Sequence, residues 1–311
     1  MQIDLFSAAI EHKQKALDAL QRFALPQART ELETAGEIDP YLADIKTLLQ
    51  AVDILLGYAL NANTKSSGLA AAWKEVRTAR ATLPPVVYAR VERAICQRAL
   101  QCLPADHSDF IAAKEKTLHA GYCCLVLNRP DEAYKKLLDY LTDHPDESHP
   151  ALWGYFGDAC YQLKRHDETN SGYLRALFMD AQAVDFTRLR PPDLRRIFKQ
   201  LCSQHAEETS RALLPIHAWL EGVLHIPKGA AWLTRTISRH RFDHSVELAL
   251  TPAQRYRQFT LCLFIDQSGL HGDIAFDSRV EMQRLDAPLF RRYLREVDRK
   301  NSARRRPLRK R

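Results

Sequence analysis

The sequence predicts an all-α fold, on three observations. Gly is scarce, 11 in 311 residues, while residues that lose little on entering a helix (Ala, Leu, Arg, Glu, Gln) are frequent. Apolar residues recur at three- and four-residue spacing in stretch after stretch. No segment alternates apolar and polar residues as a half-buried strand would. Phe259 to Ile265 is apolar enough for a strand, but its length and flanks suit a buried helix better. A chain of this length can fill a large core or build a long solenoid.

Residues 2–23 predict an amphipathic helix with Ile3, Phe6, Ile10, Leu17, Leu20 and Phe23 near one face. Pro26 marks a turn and opens the next helix, which carries Ala28, Leu32 and Ala35 and stops at Pro40. Helices follow over 41–60, 69–82 and 86–103, separated by the turn-rich run 61–68 and by Pro84–Pro85. Ser108 is a candidate N-cap for a helix over 109–127. Asn128 to Asp131 makes a turn, and 131–143 forms a partner helix ended by Pro145.

The stretch from Pro150 to Ala181 organises the chain. It predicts two antiparallel helices joined by the polar turn Lys164 to Asp167. Trp153, Phe156, Gly157, Cys160 and Tyr161 fall at helical spacing on the first, and Thr169, Tyr173, Ala176 and Leu177 on the second. Small residues at Gly157 and Ala176 would let the two helices approach closely.

This stretch resembles a tetratricopeptide repeat, whose helix pair carries Trp, Leu-Gly, Tyr, Ala, an aromatic and Pro in that order. Trp153, Gly157, Tyr173 and Ala176 match. Phe156 stands for the Leu, Cys160 for the Tyr and Thr169 for the first Ala, and Ala181 occupies the Pro slot. The preceding pair supplies Gly121, Ala133 and Pro145 at the right separations. The resemblance is clear over about 110–182 and faint over 1–108, where His12 sits in the Trp slot of a degenerate first repeat. It implies a superhelical solenoid, since one pair cannot bury its own apolar face.

The resemblance is lost past Asp185, and Arg188 to Pro192 marks a boundary. Helical stretches are then predicted near 193–204, 206–225 and 228–242. Thr251–Pro252 opens a helix over 252–266, by an N-cap followed by Pro at the first helical position. The loop 267–273 precedes a helix over 275–285, and Asp286–Ala–Pro288 opens the last one. The expected organisation is therefore helical repeats over 1–185, a helical region over 186–290 and a basic tail over 291–311.

That tail holds eleven Lys or Arg against Glu296 and Asp298, a net charge of +9. The whole chain carries +7, so the other 290 residues sum to −2. The last thirteen residues, with no apolar side chain beyond Ala303 and Leu308, are expected to be disordered alone. Arg304, Arg305, Arg306, Arg309, Lys310 and Arg311 would attract an acidic partner, non-specific nucleic acid or an anionic membrane surface. The bland alternative is a solubilising end.

Candidate chemistry is thin. The seven Cys are odd in number and contain no CxxC pair, which suits free thiols in a reducing compartment. His240 and His244 stand four apart, but Arg239 and Arg241 beside them would repel a metal ion. Glu207–Glu208 and Asp167–Glu168 are sequence neighbours and do not face each other on a helix. No GxSxG, GxxxxGK[ST] or GxGxxG is present, and Ser268 to Gly272 reads as an interhelix loop. An enzyme site in 193–290 would draw on His217, His225, His240, His244 and His271 with Glu221 and Asp243.

By the tetratricopeptide resemblance, the first helix of each pair lines a concave groove. Glu115, Tyr122, Asp158, Tyr161 and Gln162 would then face a peptide or helix ligand. The rival reading packs Tyr122 and Tyr161 between helices. The expected role is a cytoplasmic, non-catalytic protein–protein interaction scaffold or adaptor, without cofactor and without a membrane span. The alternatives are a nucleic-acid-associated protein acting through its tail, or an enzyme.

Overall fold

A computed structural model describes residues 5–57, 66–102, 117–144, 149–229, 232, 250–269 and 273–305. Its described residues form helices and turns and no strand. The chain divides into two compact units, Met1–Glu147 and Ser148–Arg311.

The first unit holds α1 (Leu5–Gln21), α2 (Leu25–Ile38), α3 (Ile45–Gly57), α4 (Ser66–Thr78), α5 (Pro85–Cys102), α6 (Ala120–Val126) and α7 (Pro130–Asp143). Its core gathers Leu20, Leu32, Leu55, Leu69, Ile95 and Leu137, each no more than 1% exposed. Trp73 of α4 is buried among them and donates its indole N–H to Thr117 Oγ1 at 3.0 Å. The helix expected over 109–127 is helical only from Ala120 within its described part. His119 adopts extended backbone and its Nδ1 accepts the Gly121 N–H at 2.9 Å, which caps α6 there. Ser108 lies outside the described residues.

The second unit holds α8 (Pro150–Gln162), α9 (His166–Asp180), α10 (Pro192–Cys202), α11 (Glu207–Leu220), α12 (Pro252–Gln267), α13 (Asp273–Leu285) and α14 (Ala287–Arg305). Pro191 and Pro192, expected to mark a domain boundary, lie inside this unit, where Pro192 is the first residue of α10. The helix expected over 206–225 ends at Leu220. Gly222 there takes φ +74°, and the Gly222 and Val223 N–H groups donate back to Trp219 and Ala218. Thr251 caps α12 as expected, and Gln254 completes a reciprocal capping box. Phe259, Cys262, Leu263, Phe264 and Ile265 are all buried on α12, so this run is a buried helix.

Three helix hairpins, α1–α2, α6–α7 and α8–α9, close with one and the same turn. Phe23, Asn128 and Lys164 take φ of 61°, 61° and 59°. In each, the next N–H reaches back five residues, Ala24 to Ala19, Arg129 to Cys124 and Arg165 to Cys160, at 2.9 Å every time. A second bond runs from Phe23 to Leu20, Asn128 to Leu125 and Lys164 to Tyr161. This is the Schellman arrangement, here without glycine. A left-handed residue with a Cβ costs roughly 1–2 kcal/mol. Burial of the Phe23 ring offsets that cost, and the short polar Asn128 tolerates it. Counting from the left-handed residue, Ala28, Ala133 and Thr169 fall at one position, and Leu32, Leu137 and Tyr173 at another. All six are buried.

In α8–α9 one helix backbone meets the other. A Cβ on Gly172 would stand 2.8 Å from the Gly157 nitrogen and 3.0 Å from the Trp153 carbonyl oxygen. Gly157 therefore meets Gly172 and the Tyr173 ring, whereas Ala176, the expected partner, comes nearer to Gly154.

The tail is not disordered throughout. α14 runs to Arg305, with Phe290 and Tyr293 buried on its inner face. Lys300 lies 3.6 Å from the centroid of the Trp219 ring and donates to the Trp219 carbonyl at 3.1 Å. Glu296 pairs with Arg299 and Lys300 one turn on. Residues 306–311 lie outside the described residues.

Two substitutions test the α8–α9 hairpin by urea unfolding. Gly172→Ala is expected to lower stability by about 1–3 kcal/mol through overpacking against backbone. Lys164→Gly, exposed and left-handed, is expected to raise it by about 1 kcal/mol. Equal stabilities would mean that neither the contact nor the turn is tight.

Candidate functional site

Tyr122 and Asp158, expected in a groove, both point inward. Each stands six residues before the left-handed residue of its hairpin, so they are equivalent positions. Tyr122 is 2% exposed, donates its hydroxyl to Glu92 Oε1 at 2.5 Å, and packs 5.4 Å from the Trp73 ring. Glu92 is itself buried, on α5. Asp158 is 6% exposed and accepts the Tyr173 hydroxyl and, at 3.3 Å, the Arg190 N–H. Burial pushes the Asp158 carboxyl up to about 7, against the lowering effect of the Tyr173 bond and the Arg190 charge. Burial and the neighbouring carboxylate raise the Tyr173 hydroxyl as well, so it remains a donor.

Tyr161 and Gln162 are half-buried at the end of α8, and the Gln162 amide nitrogen is buried without a hydrogen-bond partner among the described residues. Glu115 lies outside the described residues. Arg304 and Arg305 belong to the last turn of α14. Arg306, Arg309, Lys310 and Arg311 lie outside.

Of the residues of the enzyme alternative, His217, Glu221 and His225 are described, and the Glu221 charge reaches His217 one turn away. Burial, helped by the Arg292 charge, pushes His217 down to about 4. Glu221 pairs with Arg196 at 2.9 Å, and the exposed His225 exchanges backbone hydrogen bonds with the Asn170 side chain. His240, Asp243, His244 and His271 lie outside the described residues. Among the described residues, no group of three or more His, Cys, Asp or Glu side chains is placed to hold a metal. The Ser268 hydroxyl is buried against the Ile265 carbonyl, which fits an interhelix role better than a phosphate cradle. Burial raises the thiols of Cys124 and Cys160 to about 11 and about 12, which keeps them protonated and unreactive.

Two concavities were not foreseen. In the second unit, a cleft of about 470 Å³ lies between the end of α9, α11 and the start of α12. Ala181, Ala212 and Ala253 leave room there beside Phe178 and Pro215, and Arg257 stands at the wall with one bond, to the Met179 carbonyl at 3.1 Å. It offers apolar surface and a guanidinium, with the Asp180 and Glu208 carboxylates and the Thr260 hydroxyl also in its lining. In the first unit, an open groove of about 1050 Å³ runs between the end of α2 and the start of α3. Leu32, Gly36, Pro40, Leu42, Ile45 and Leu49 line it, with Glu33, Glu37, Asp44 and Lys46 among them. Tyr41, in the turn between Pro40 and Leu42, is 94% exposed. The sequence signal for this groove is slight, a bulky apolar residue directly after the helix-stopping Pro40.

Known protein families, characterised proteins and solved structures contain no match to this chain. No described helix is long and apolar enough to cross a membrane.

The buried Asp158 makes stability depend on pH. Its folded-state value lies above the ordinary 3.8, so its contribution is complete below that value and is lost as the pH rises through about 7. Relative to Asp158→Asn, which keeps an oxygen for Tyr173, the native chain is expected to lose stability over that range, by at most about 1.4 kcal/mol per pH unit. Urea unfolding of both proteins between about pH 4 and pH 8 measures the difference. A difference flat with pH would place the Asp158 carboxyl in contact with water.

Proposed function

We propose that the chain is a non-catalytic protein–protein interaction scaffold built from tetratricopeptide-like hairpins. The observation that carries this reading is the turn shared by three hairpins, with the same backbone hydrogen bonds and the same buried positions on either side. Repetition of one unit is what a solenoid requires, and solenoids serve as extended binding surfaces. The raised Asp158 carboxyl is spent on the Tyr173 hydroxyl, and the Tyr293 hydroxyl on Asp266, which supports a structural and not a catalytic use.

The groove between α2 and α3 is the docking surface in this reading, in place of one through Tyr122 and Asp158. Its apolar floor, charged rim and unburied Tyr41 match the anatomy of a peptide-binding surface, an aromatic anchor beside an apolar pocket. A ligand segment would lay apolar side chains against Leu42 and Leu49 and cover the tyrosine ring. Tyr161 and Gln162 remain a second, smaller contact of the α8 end.

The test is capture of partners by the purified chain, followed by Tyr41→Ala and Leu42→Asp. A partner bound by the native chain is expected to lose about tenfold or more in affinity to each variant, as interface aromatics commonly do. Unfolding of the Tyr41→Ala protein is expected to match the native one, because that side chain touches little. A partner that binds both variants unchanged would remove the groove from the reading.

A further inference from the structure

We infer that the outward face of α14 binds the phosphate backbone of a nucleic acid, independently of the groove beside Tyr41. Arg291, Arg295 and Arg299 follow at four-residue spacing, and Arg292 lies on the same side. At 3.6 residues per turn the four cover an arc of about 100°. All four are exposed. Arg299 is paired with Glu296, but among the described residues Arg291, Arg292 and Arg295 make no ion pair or hydrogen bond. Three unpaired guanidiniums on one rigid helix repel one another, and an anion lying along the helix relieves that repulsion.

The helix is held to present this face. Tyr293, fully buried on the opposite side, donates its hydroxyl to Asp266 and receives the Gln267 amide at 2.6 Å. Asp266 is held in turn by Arg279 at 2.7 Å. Lys300 clamps the far end over Trp219. The backbone of the row is therefore preorganised, and the ordering cost of binding falls on the arginine side chains alone.

The chemistry of the face selects the partner. Its exposed residues from Arg291 to Ser302 are Arg, Asp, Asn and Ser, with no aromatic or aliphatic anchor of the kind a protein interface needs. Phe290 and Tyr293 of α14 are buried and Leu289, Leu294 and Val297 half-buried, so from Arg291 on it has no exposed apolar side chain to insert into a bilayer. What remains is guanidinium forks, which match phosphate oxygens, on a convex rod. Four arginines against one Asn and one Ser make the contact chiefly to the backbone and largely indifferent to sequence. Another six basic residues follow in 304–311 and extend the same charge.

The experiment is fluorescence anisotropy of a labelled, mixed-sequence DNA duplex titrated with the full chain over a series of salt concentrations. Arg291→Gln/Arg292→Gln/Arg295→Gln is compared with Arg22→Gln/Lys74→Gln/Arg93→Gln, which removes the same charge from exposed positions of the first unit outside the groove. The α14 variant is expected to bind at least tenfold more weakly, with a log K against log salt slope shallower by about 2–3, near 0.9 per lost phosphate contact. The first-unit variant is expected to bind as the native chain does. Arg→Lys at the three α14 positions is expected to keep most of the salt slope. Unchanged duplex binding by the α14 glutamine variant would overturn the assignment, as would equal weakening by the first-unit variant. Binding to phosphatidylserine vesicles but not to the duplex, lost through the same three residues, would overturn it in favour of a membrane surface.

Discussion

Each of the three matched hairpins reverses direction through a single left-handed residue, and the packing of the pair follows from where that residue stands. It fixes which N–H groups close the first helix and therefore the rotation at which the second begins. From there the 3.6-residue repeat decides which side chains meet. That is why Ala28, Ala133 and Thr169 are buried alike although three different sequences surround them. Phe23 and Lys164 occupy the position at a steric cost a glycine would not carry. The arrangement survives because two backbone hydrogen bonds and the packing of both helices hold it.

A second device recurs in both units. Tyr122 with Glu92, Tyr173 with Asp158 and Tyr293 with Asp266 each set a phenolic hydroxyl on a carboxylate away from water. Either group alone would be costly to bury. Together they tie segments distant in sequence, 27 residues apart for Tyr293 and Asp266 and 30 for Tyr122 and Glu92. Such pairs add specificity of packing where an apolar core would tolerate sliding.

The helical class, most element positions and the α12 start were legible in the sequence, because periodicity, prolines and caps act locally. The groove residues were not. Tyr122 and Asp158 were placed by analogy with repeats in which that helix face is open, and the analogy carries no information on Glu92 or Tyr173, the partners that draw them inward. Gly172 was missed because a glycine within a helix gives no sign of what faces it; only the neighbouring backbone of Gly157 shows that a side chain has no room. The tail reads in sequence by its charge and its want of apolar residues. Tyr293 and Lys300 anchor it through Asp266 and Trp219, contacts formed across 27 and 81 residues and invisible to any local window. The cleft beside Ala181 had no sequence signal, since alanines on three separate elements create it jointly.

The ammonium of Lys300 stands over the face of the Trp219 indole. A fixed positive charge at that distance perturbs the electronic states of the ring. Detachment of the last helix would remove the charge and change the emission of that one indole. The protein thus carries its own optical gauge of whether its basic end is seated, without any label attached.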